Sequence, residues 1–374
     1  MSITLVLDLA HTLMRQSKKP TLLFTGLRNA GKSSIISVVF ERLHPENTLF
    51  IDPSPDTSFT TPILQYSAAT IPSGPSHTLV AQLPSFIAVD ALIIVLDSQA
   101  PSTFEVETIK KLSLMMYTAA QQNPQIQVEV FLHKVDSLTA DYREETLVNL
   151  RDRLMEELYD LSPDLEASLS ISYHYTSIFD PSVYHALSKI VPKLLPEQAV
   201  LERLLDSLCQ QCSMDKAFLF DPSSKIYIST DSSPLDSATY SICAEFLDLV
   251  GDFAPLYDRT RKEKPPLDSQ FVSAPPTRPG SPILALSSVG GIHESNNGNV
   301  NRALEQSLVS ALVKLNNGSC LAQWPITPEI TLIALVRPGV WESRQSLIEY
   351  NVSTFKEAVI KVFQVNLEVA EVLQ

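Results

Sequence analysis

Positive charge is in short supply in this chain. Against 42 Asp and Glu stand 28 Lys and Arg, a net charge of −14 at pH 7. That balance argues against a broad nucleic-acid surface, which needs clustered cations. Long apolar runs are missing too. The run Ser2-Ile3-Thr4-Leu5-Val6-Leu7 is broken by Asp8 and His11, too short for a bilayer and without the basic start of a signal peptide. No later stretch reaches transmembrane length. Cysteine is scarce: four in 374 residues, with no secretory signal, fit a reducing compartment. Cys209 and Cys212 form a C-x-x-C, but in a helix-like run with no second pair, while Cys243 and Cys320 stand alone. Buried helical thiols are a better reading than a zinc site. The rest is ordinary: 44% apolar and 19% charged residues describe a globular protein with length enough for two or three cores.

What stands out is one stretch, Gly26-Leu27-Arg28-Asn29-Ala30-Gly31-Lys32-Ser33-Ser34. It follows the apolar run Thr21-Leu22-Leu23-Phe24 and precedes a helix-like segment over 35–43. Strand, glycine loop and helix, with the glycines and the Lys-Ser pair at this spacing, is a P-loop. Glycines let the backbone wrap around phosphates, and successive N–H groups plus the helix N-terminus supply positive potential. Lys32 can reach the β- and γ-phosphates, and the Ser33 hydroxyl is placed to ligate Mg²⁺. The stretch reads as a nucleotide-phosphate site.

Along the chain, residues 1–19 read as an N-terminal extension. Residues 52–84 are rich in Pro, Ser and Thr and suggest a long mobile loop around one or two short strands. Residues 91–97 form a continuous apolar run, as in a central parallel strand covered on both faces. A helix is expected over 105–122, a strand over 128–132, a helix over 144–161, a strand over 170–175 and a closing helix over 184–194. Strands alternating with helices mean an α/β fold with a doubly wound, mainly parallel sheet and ligand loops at the strand ends.

After Pro196 the pattern changes to that of a separate α+β domain, 197–374. A helix is expected over 199–211, a hairpin over 217–229 and an apolar helix over 240–250. Residues 258–282 read as a Pro-rich, partly basic, poorly ordered linker. A strand over 283–287, a helix over 302–315, a strand over 330–336 and a long helix over 345–363 complete this half. It holds no glycine loop and no clustered His, Cys or carboxylates, so its expected work is binding.

A second chemical signal is His133-Lys134-Val135-Asp136, at a strand end about a hundred residues after the P-loop. A carboxylate there can accept both N1–H and the N2 amino hydrogens of guanine, a bidentate contact adenine cannot make. The Lys134 stem can lie along the base plane. A later strand ends in Thr176-Ser177-Ile178, where a backbone N–H would meet the guanine carbonyl. The blander alternative is that Asp136 caps the next helix.

These residues resemble the Rag GTPases of the RagC/RagD type, a family that includes fungal Gtr and RagA-like proteins. The likeness is carried by the P-loop stretch, Thr48-Leu49-Phe50, His133-Lys134-Val135-Asp136 and Thr176-Ser177-Ile178. In the second half it is carried by Lys216-Ala217-Phe218-Leu219-Phe220-Asp221 and Ser224-Lys225-Ile226-Tyr227-Ile228. His133 in place of the usual Asn of N-K-x-D is a habit of that family. The resemblance implies a GTPase domain over 20–196 and a roadblock/longin-like dimerisation domain over 197–374. It implies GTP or GDP with Mg²⁺ as ligands. Gly26, Arg28, Asn29, Ala30, Gly31, Lys32, Ser33, Ser34, His133, Lys134, Asp136, Ser177 and Ile178 would hold the nucleotide, with Ser33 on the metal. It implies a heterodimer with a RagA/RagB-type subunit and a roadblock-containing scaffold that supplies the only link to a membrane. The chain would then sit in the cytoplasm and on the cytoplasmic face of the vacuole or lysosome, signalling amino-acid sufficiency to the target-of-rapamycin kinase complex.

The chain departs from the family at its switches. No D-x-x-G lies between Ser34 and His133, and the nearest match to the family's D-F-P-G is Gln82-Leu83-Pro84-Ser85. That placement leaves only Phe86 to Asp90 before the strand at Ala91, little room for a switch II helix, and marks 52–90 as a degenerate switch region. For the switch I threonine, Thr57, Thr60 and Thr61 are candidates, with Thr60 or Thr61 favoured. Weak or lost hydrolysis is therefore expected, with no assignable catalytic residue. Arg28, beside the γ-phosphate position, would crowd the attacking water. The competing readings are a pseudo-GTPase scaffold that no longer switches, and a P-loop ATPase or kinase, which His133-Lys134-Val135-Asp136 disfavours.

Overall fold

The structure, a computed structural model, describes residues 19–51, 57–61, 64–71, 84–163, 169–262, 284–287 and 310–372. The expected extension over 1–18 lies outside them. The chain divides into two compact units, one of Lys18–Pro196 and one holding Glu197 onward.

The first unit is built on a six-stranded sheet. Its strands are β1 (Thr21–Gly26), β2 (Thr57–Thr60), β3 (Gln65–Thr70), β4 (Ala91–Asp97), β5 (Gln127–His133) and β6 (Ile171–Thr176). Their order is β2-β3-β1-β4-β5-β6, with only β2 antiparallel to its neighbour. β4 is buried on both faces from Ala91 to Leu96, which its unbroken apolar sequence requires. Among the described residues, the sheet is covered by α1 (Lys32–Phe40), α2 (Val106–Gln122), α3 (Ala140–Leu161) and α4 (Ser182–Leu194). α2 buries Ile109, Leu112, Met115, Met116 and Ala119, and α3 buries Leu150, Leu154 and Leu158. Both sets recur at three- and four-residue spacing, one stripe per helix, and pack on Leu92, Ile94, Leu96, Val128, Val130 and Leu132. α1 and α4 lie together, the Tyr184 hydroxyl donating to the Val38 carbonyl at 3.4 Å. This is the doubly wound, mainly parallel α/β sheet that the strand–helix alternation implied.

Strand order sets the place of the site. β1 has β3 on one side and β4 on the other, so the chain leaves its carboxyl end at the point where the winding reverses, and a crevice opens there. Sheet position also explains a buried charge. Glu129 of β5, whose side chain is 2% exposed, meets His174 Nε2 at 2.7 Å and Lys193 Nζ at 3.3 Å. Removing one partner of a buried carboxylate costs more than the pair contributes. His174→Ala is expected to destabilise this unit by about 2 kcal/mol, read as a lower denaturation midpoint; no change would mean that Lys193 alone suffices.

The second unit is a six-stranded sheet in the order β8-β7-β12-β11-β10-β9, and every pairing is antiparallel. It comprises β7 (Met214–Phe220), β8 (Tyr227–Thr230), β9 (Leu284–Ser287), β10 (Ser310–Lys314), β11 (Cys320–Thr327) and β12 (Ile330–Val336). Its helices are α5 (Gln198–Cys212), α6 (Ser237–Lys262) and α7 (Val340–Val372), the last kinked at Arg344. α6 sets Tyr240 on the rings of Phe220 and Tyr227. The thiols of Cys209 and Cys212 are free on α5, and Asn351 of α7 donates to Cys212 Sγ at 3.4 Å. Among the described residues there is no cluster of His, Cys, Asp or Glu fit for a metal, and no helix is long and apolar enough to cross a membrane.

Three expectations for this half are corrected. Residues 310–314 are a strand, not the end of a helix over 302–315, and 302–309 lie outside the described residues. The reason is the turn that follows. Gly318 takes φ +84°, Leu315 N–H donates to Ser319 O at 2.8 Å, and Lys314 lies opposite Cys320, a hairpin that the Asn-Asn-Gly sequence favours. β11 was not expected from the sequence, because Pro325 interrupts it. The register shift between Pro325 and Thr327 is where the ladder accommodates a residue with no N–H to give. The expected linker over 258–282 is corrected at 258–262, where α6 continues to Lys262; residues 263–282 lie outside the described residues.

Candidate functional site

β1 ends at Gly26 because nothing larger fits. A Cβ there would stand 2.1 Å from the Val95 carbonyl oxygen of β4, at φ +150°. The loop then turns through Asn29 at φ +63° and Gly31 at φ +104°. A Cβ on Gly31 would meet the His133 ring at 2.6 Å. The first helical bond of α1 runs from Ile35 N–H to Gly31 O at 2.9 Å. The amides of its opening turn, Lys32 to Ser34, therefore face outward with the positive end of the helix. Lys32 is buried and arches over the loop, its Nζ donating to Gly26 O at 2.9 Å and Leu27 O at 2.8 Å.

From the other side of the crevice comes the end of β5. Lys134 adopts φ +60° and its Nζ reaches across to Asn29 O at 2.9 Å and to Asp97 Oδ2 at 2.7 Å. Asp136 follows, with Oδ1 accepting from Ser177 Oγ at 2.8 Å. Ser177 Oγ in turn accepts from Phe179 N–H at 3.1 Å, while Ser177 N–H donates to Ser182 Oγ at 2.8 Å. The two loops are thus clamped to each other and to the P-loop. His133 lies beneath, with Nδ1 3.0 Å from Thr176 Oγ1. Burial, then the charge of Lys134, pushes its imidazole down to about 4. It packs against Gly31 as a neutral ring.

Between these walls lies a cavity of about 480 Å³, within the range of small-molecule sites. Arg28, Asn29, Gly31, Lys32, Ser33 and Ser34 line one end; His133, Lys134, Asp136 and Ile178 line the other. Ten of the thirteen residues expected to hold nucleotide are thus brought to one set of walls. Gly26 and Ala30 shape the loop from below, and Ser177 stands behind Asp136.

Thr48, Leu49, Ile51, Thr70 and Phe179 were not expected at the site, and all five line the cavity. The first three belong to or follow the 3₁₀ segment Pro45–Phe50 after α1. Asp97, which orients Lys134, was not expected either; its position at the end of an apolar central strand was the available signal.

Two placements are corrected. The strand beside β1 on the side away from β4 is β3, and its last residue, Thr70, lies opposite Gly26. The position expected at Gln82-Leu83-Pro84-Ser85 therefore falls at Thr70, so the gap to β4 is residues 71–90 and space is not short. A strand of Gln, Tyr, Ser, Ala, Ala and Thr, with Tyr66 its one bulky residue, hid this. Gln82 and Leu83 lie outside the described residues. Thr60 and Thr61, the favoured metal candidates, sit at the wrong end of the sheet. Thr60 lies opposite Gln65, which lies opposite Thr21, about 17 Å along the strand from Gly26 at 3.3 Å per residue. Thr61 Oγ1 donates to Leu64 O at 2.9 Å, closing the turn between β2 and β3.

The imidazoles of His133 and His185 predict acid sensitivity for this unit. His185 is also pushed down to about 4, by burial and then by Lys189 and His174. An unfolded histidine titrates near 6.5, so between that value and about 4 the unfolded chain binds more protons than the native one. Stability is full above about pH 6.5 and is lost as pH falls toward 4. Thermal midpoints measured across this window should fall, and His133→Asn should flatten the profile.

The chain matches the family described as "Gtr1/RagA G protein conserved region" over residues 76–247. It is 33% identical over 358 residues to the "GTP-binding protein GTR2" of Saccharomyces cerevisiae, covering 91% of this chain and 92% of that protein. The "GTP-binding protein gtr2" of Schizosaccharomyces pombe is 31% identical, covering 92% and 98%. Human "Ras-related GTP-binding protein C" is 32% identical, covering 94% and 78%. With these relatives matched over most of their length and this geometry at the P-loop, the chain belongs to the Gtr/Rag family of G proteins, on its Gtr2 and RagC/RagD side.

Proposed function

We propose that this chain is a guanine-nucleotide-binding Rag-type subunit. The observation that carries this reading is the clamp around the cavity: Lys134 tied to both Asn29 and Asp97, and Asp136 held by Ser177. It fixes a carboxylate at the base end of a cavity whose other end is a phosphate-binding loop. The Ser177 and Phe179 amides are engaged within their loop, and the Ile178 amide is the donor for the guanine carbonyl. Lys32 and Arg28 supply cations to the phosphates. Lys32→Ala removes a cation and Ser33→Asn replaces a hydroxyl on the cavity wall that can donate to a phosphate with a bulkier amide; each should weaken GDP and GTP binding by ~10-fold or more, since charge-assisted contacts are worth about 1.5–3 kcal/mol. Wild-type affinity in both would overturn the reading. Competition by ADP as effective as that by GDP would revive an ATPase.

The second unit is, in this proposal, a roadblock-type dimerisation domain for a RagA/RagB-type subunit. α6 buries Tyr240, Cys243, Phe246, Leu247 and Val250, yet leaves Ile242, Leu249 and Phe253 exposed, a stripe at helical spacing that suits a partner helix or sheet. Ile242→Asp with Leu249→Asp should abolish co-purification of the full chain with such a subunit. A complex that survives both changes rules out this face. Through that heterodimer and a roadblock scaffold, the chain would act at the vacuole or lysosome surface and relay amino-acid sufficiency to the target-of-rapamycin kinase complex. Thr70 at the end of β3 favours the non-switching scaffold as the second reading.

A further inference from the structure

Mg²⁺ is the metal this family implies, and the residues at the site fit it poorly. In P-loop GTPases the ion takes a P-loop Ser or Thr and a carboxylate from the neighbouring strand end. Ser33 lines the cavity and supplies the first. The strand end beside β1 is Thr70, opposite Gly26 and lining the same cavity. Among the described residues, the only carboxylate lining the cavity is Asp136, at the base end and bound to Ser177. Asp97 is held by Lys134. Among the described residues, the other side-chain oxygens lining the cavity are neutral, the hydroxyls of Ser33, Ser34, Thr48 and Thr70 and the amide of Asn29, whereas Mg²⁺ is a hard cation that seeks carboxylate and phosphate oxygens.

The charge balance at that end follows. A carboxylate at the strand end has two effects: it recruits the metal, and without the metal it repels the β-phosphate across a few ångströms. Metal removal then exposes a like-charge contact, and the nucleotide is lost. A threonine hydroxyl has no charge to expose. It can donate to a phosphate oxygen or to bridging water, while Arg28 and Lys32 stand on the same wall as permanent cations. Arg28 is itself exposed on the loop, with reach toward the phosphates.

We propose that Thr70 makes nucleotide retention in this chain nearly indifferent to divalent cations. The inference rests on the guanine-nucleotide reading and is testable apart from it. Release of fluorescent GDP from the full chain is followed in excess Mg²⁺ and in excess EDTA, for the unmodified protein, Thr70→Asp and Thr70→Asn. For the unmodified chain the two release rates should agree within about threefold, because no fixed anion is uncovered. Thr70→Asp should release GDP ~10-fold or more faster in EDTA than in Mg²⁺, since the added carboxylate both repels phosphate and holds metal. Thr70→Asn, of similar size to Asp but neutral, should behave as the unmodified chain. Faster release in EDTA by tenfold or more from the unmodified chain overturns the proposal and leaves nucleotide binding intact. A Thr70→Asp protein that binds GDP with no new metal dependence removes the role given to Thr70. Failure of the unmodified chain to retain GDP in either buffer overturns both the proposal and the reading beneath it.

Discussion

Gly26→Ala should collapse the first unit's stability and with it the phosphate loop. The new methyl would stand 2.1 Å from the Val95 carbonyl oxygen, 3.1 Å from its carbon and 3.4 Å from its nitrogen. These are main-chain atoms of β4, buried from Ala91 to Leu96, so no side chain can swing away to relieve the overlap. Nor can β1 retreat, because it is paired on its other side with β3. The φ of +150° adds a second cost for any L-residue. Strain of about 1–3 kcal/mol and overpacking of about 1–3 kcal/mol together put the loss on the order of 4 kcal/mol. A typical domain has about 5–15 kcal/mol in all, so chemical denaturation should show a much lower midpoint or no folded baseline. Gly251→Ala gives the opposite sign. It lies in α6, where an added methyl would have nothing within 4 Å, and alanine there should stabilise by about 1 kcal/mol. A Gly26→Ala protein with the midpoint of the unmodified chain would mean that β1 and β4 do not meet as described.

Much of the site was legible because its chemistry is local. A glycine loop between a strand and a helix must look the same wherever it occurs, so Lys32, Ser33 and Ser34 could be assigned from spacing alone. β4 announced itself by an apolar run that only a strand covered on both faces can bury. Asp136 could be found because a bidentate guanine contact needs a carboxylate at a strand end. What could not be read depends on neighbours far along the chain. Thr70 acquires meaning only through its register opposite Gly26, and its strand carries too few bulky residues to show a two-residue period. Thr61 has the right residue type and a suitable distance along the chain, but the pairing of Thr60 with Gln65 puts it in the turn before β3, bonded to Leu64. The sequence over 302–315 sets Leu304, Leu308, Leu312 and Leu315 at helical spacing, and for β10 the antiparallel partner supplied by the turn at Gly318 overrides that local preference. β11 fails the usual strand test at Pro325, which a register shift absorbs. In each case tertiary pairing outweighed a signal that the local sequence carried.

Exchange of one atom at Asp136 should change which base the site accepts. Asp136 Oδ1 is held by the Ser177 hydroxyl at 2.8 Å, so the carboxylate has a fixed plane rather than a free rotation. In the guanine pose its oxygens accept from N1–H and from the N2 amino group. Asp136→Asn keeps the size and the plane but turns one acceptor into an NH₂ donor. The Ser177 hydroxyl can rotate to suit either end of the amide, so the fold has no reason to give way. Against guanine, the amide then sets donor against donor at N2, and two hydrogen bonds to a charged group, about 1.5–3 kcal/mol each, are weakened or lost. GDP affinity should fall by about 100-fold or more, since each 1.4 kcal/mol is tenfold. Xanthine carries a carbonyl where guanine has its amino group, and there the same amide donates while its oxygen accepts N1–H. XDP should therefore bind the variant more tightly than GDP, the reverse of the unmodified chain. With Thr70 in place of a carboxylate at the phosphate end, GDP and GTP should bind within about tenfold of each other, a difference of ~1.4 kcal/mol. Single-turnover hydrolysis without a partner should stay near background. Titration of both proteins with GDP, GTP and XDP measures the base preference and the GDP-to-GTP ratio together, and a single-turnover assay on the unmodified chain measures the third. A variant that still prefers GDP to XDP would show that Asp136 does not face the base edge, and the clamp through Ser177 and Lys134 would then be only a loop fastening.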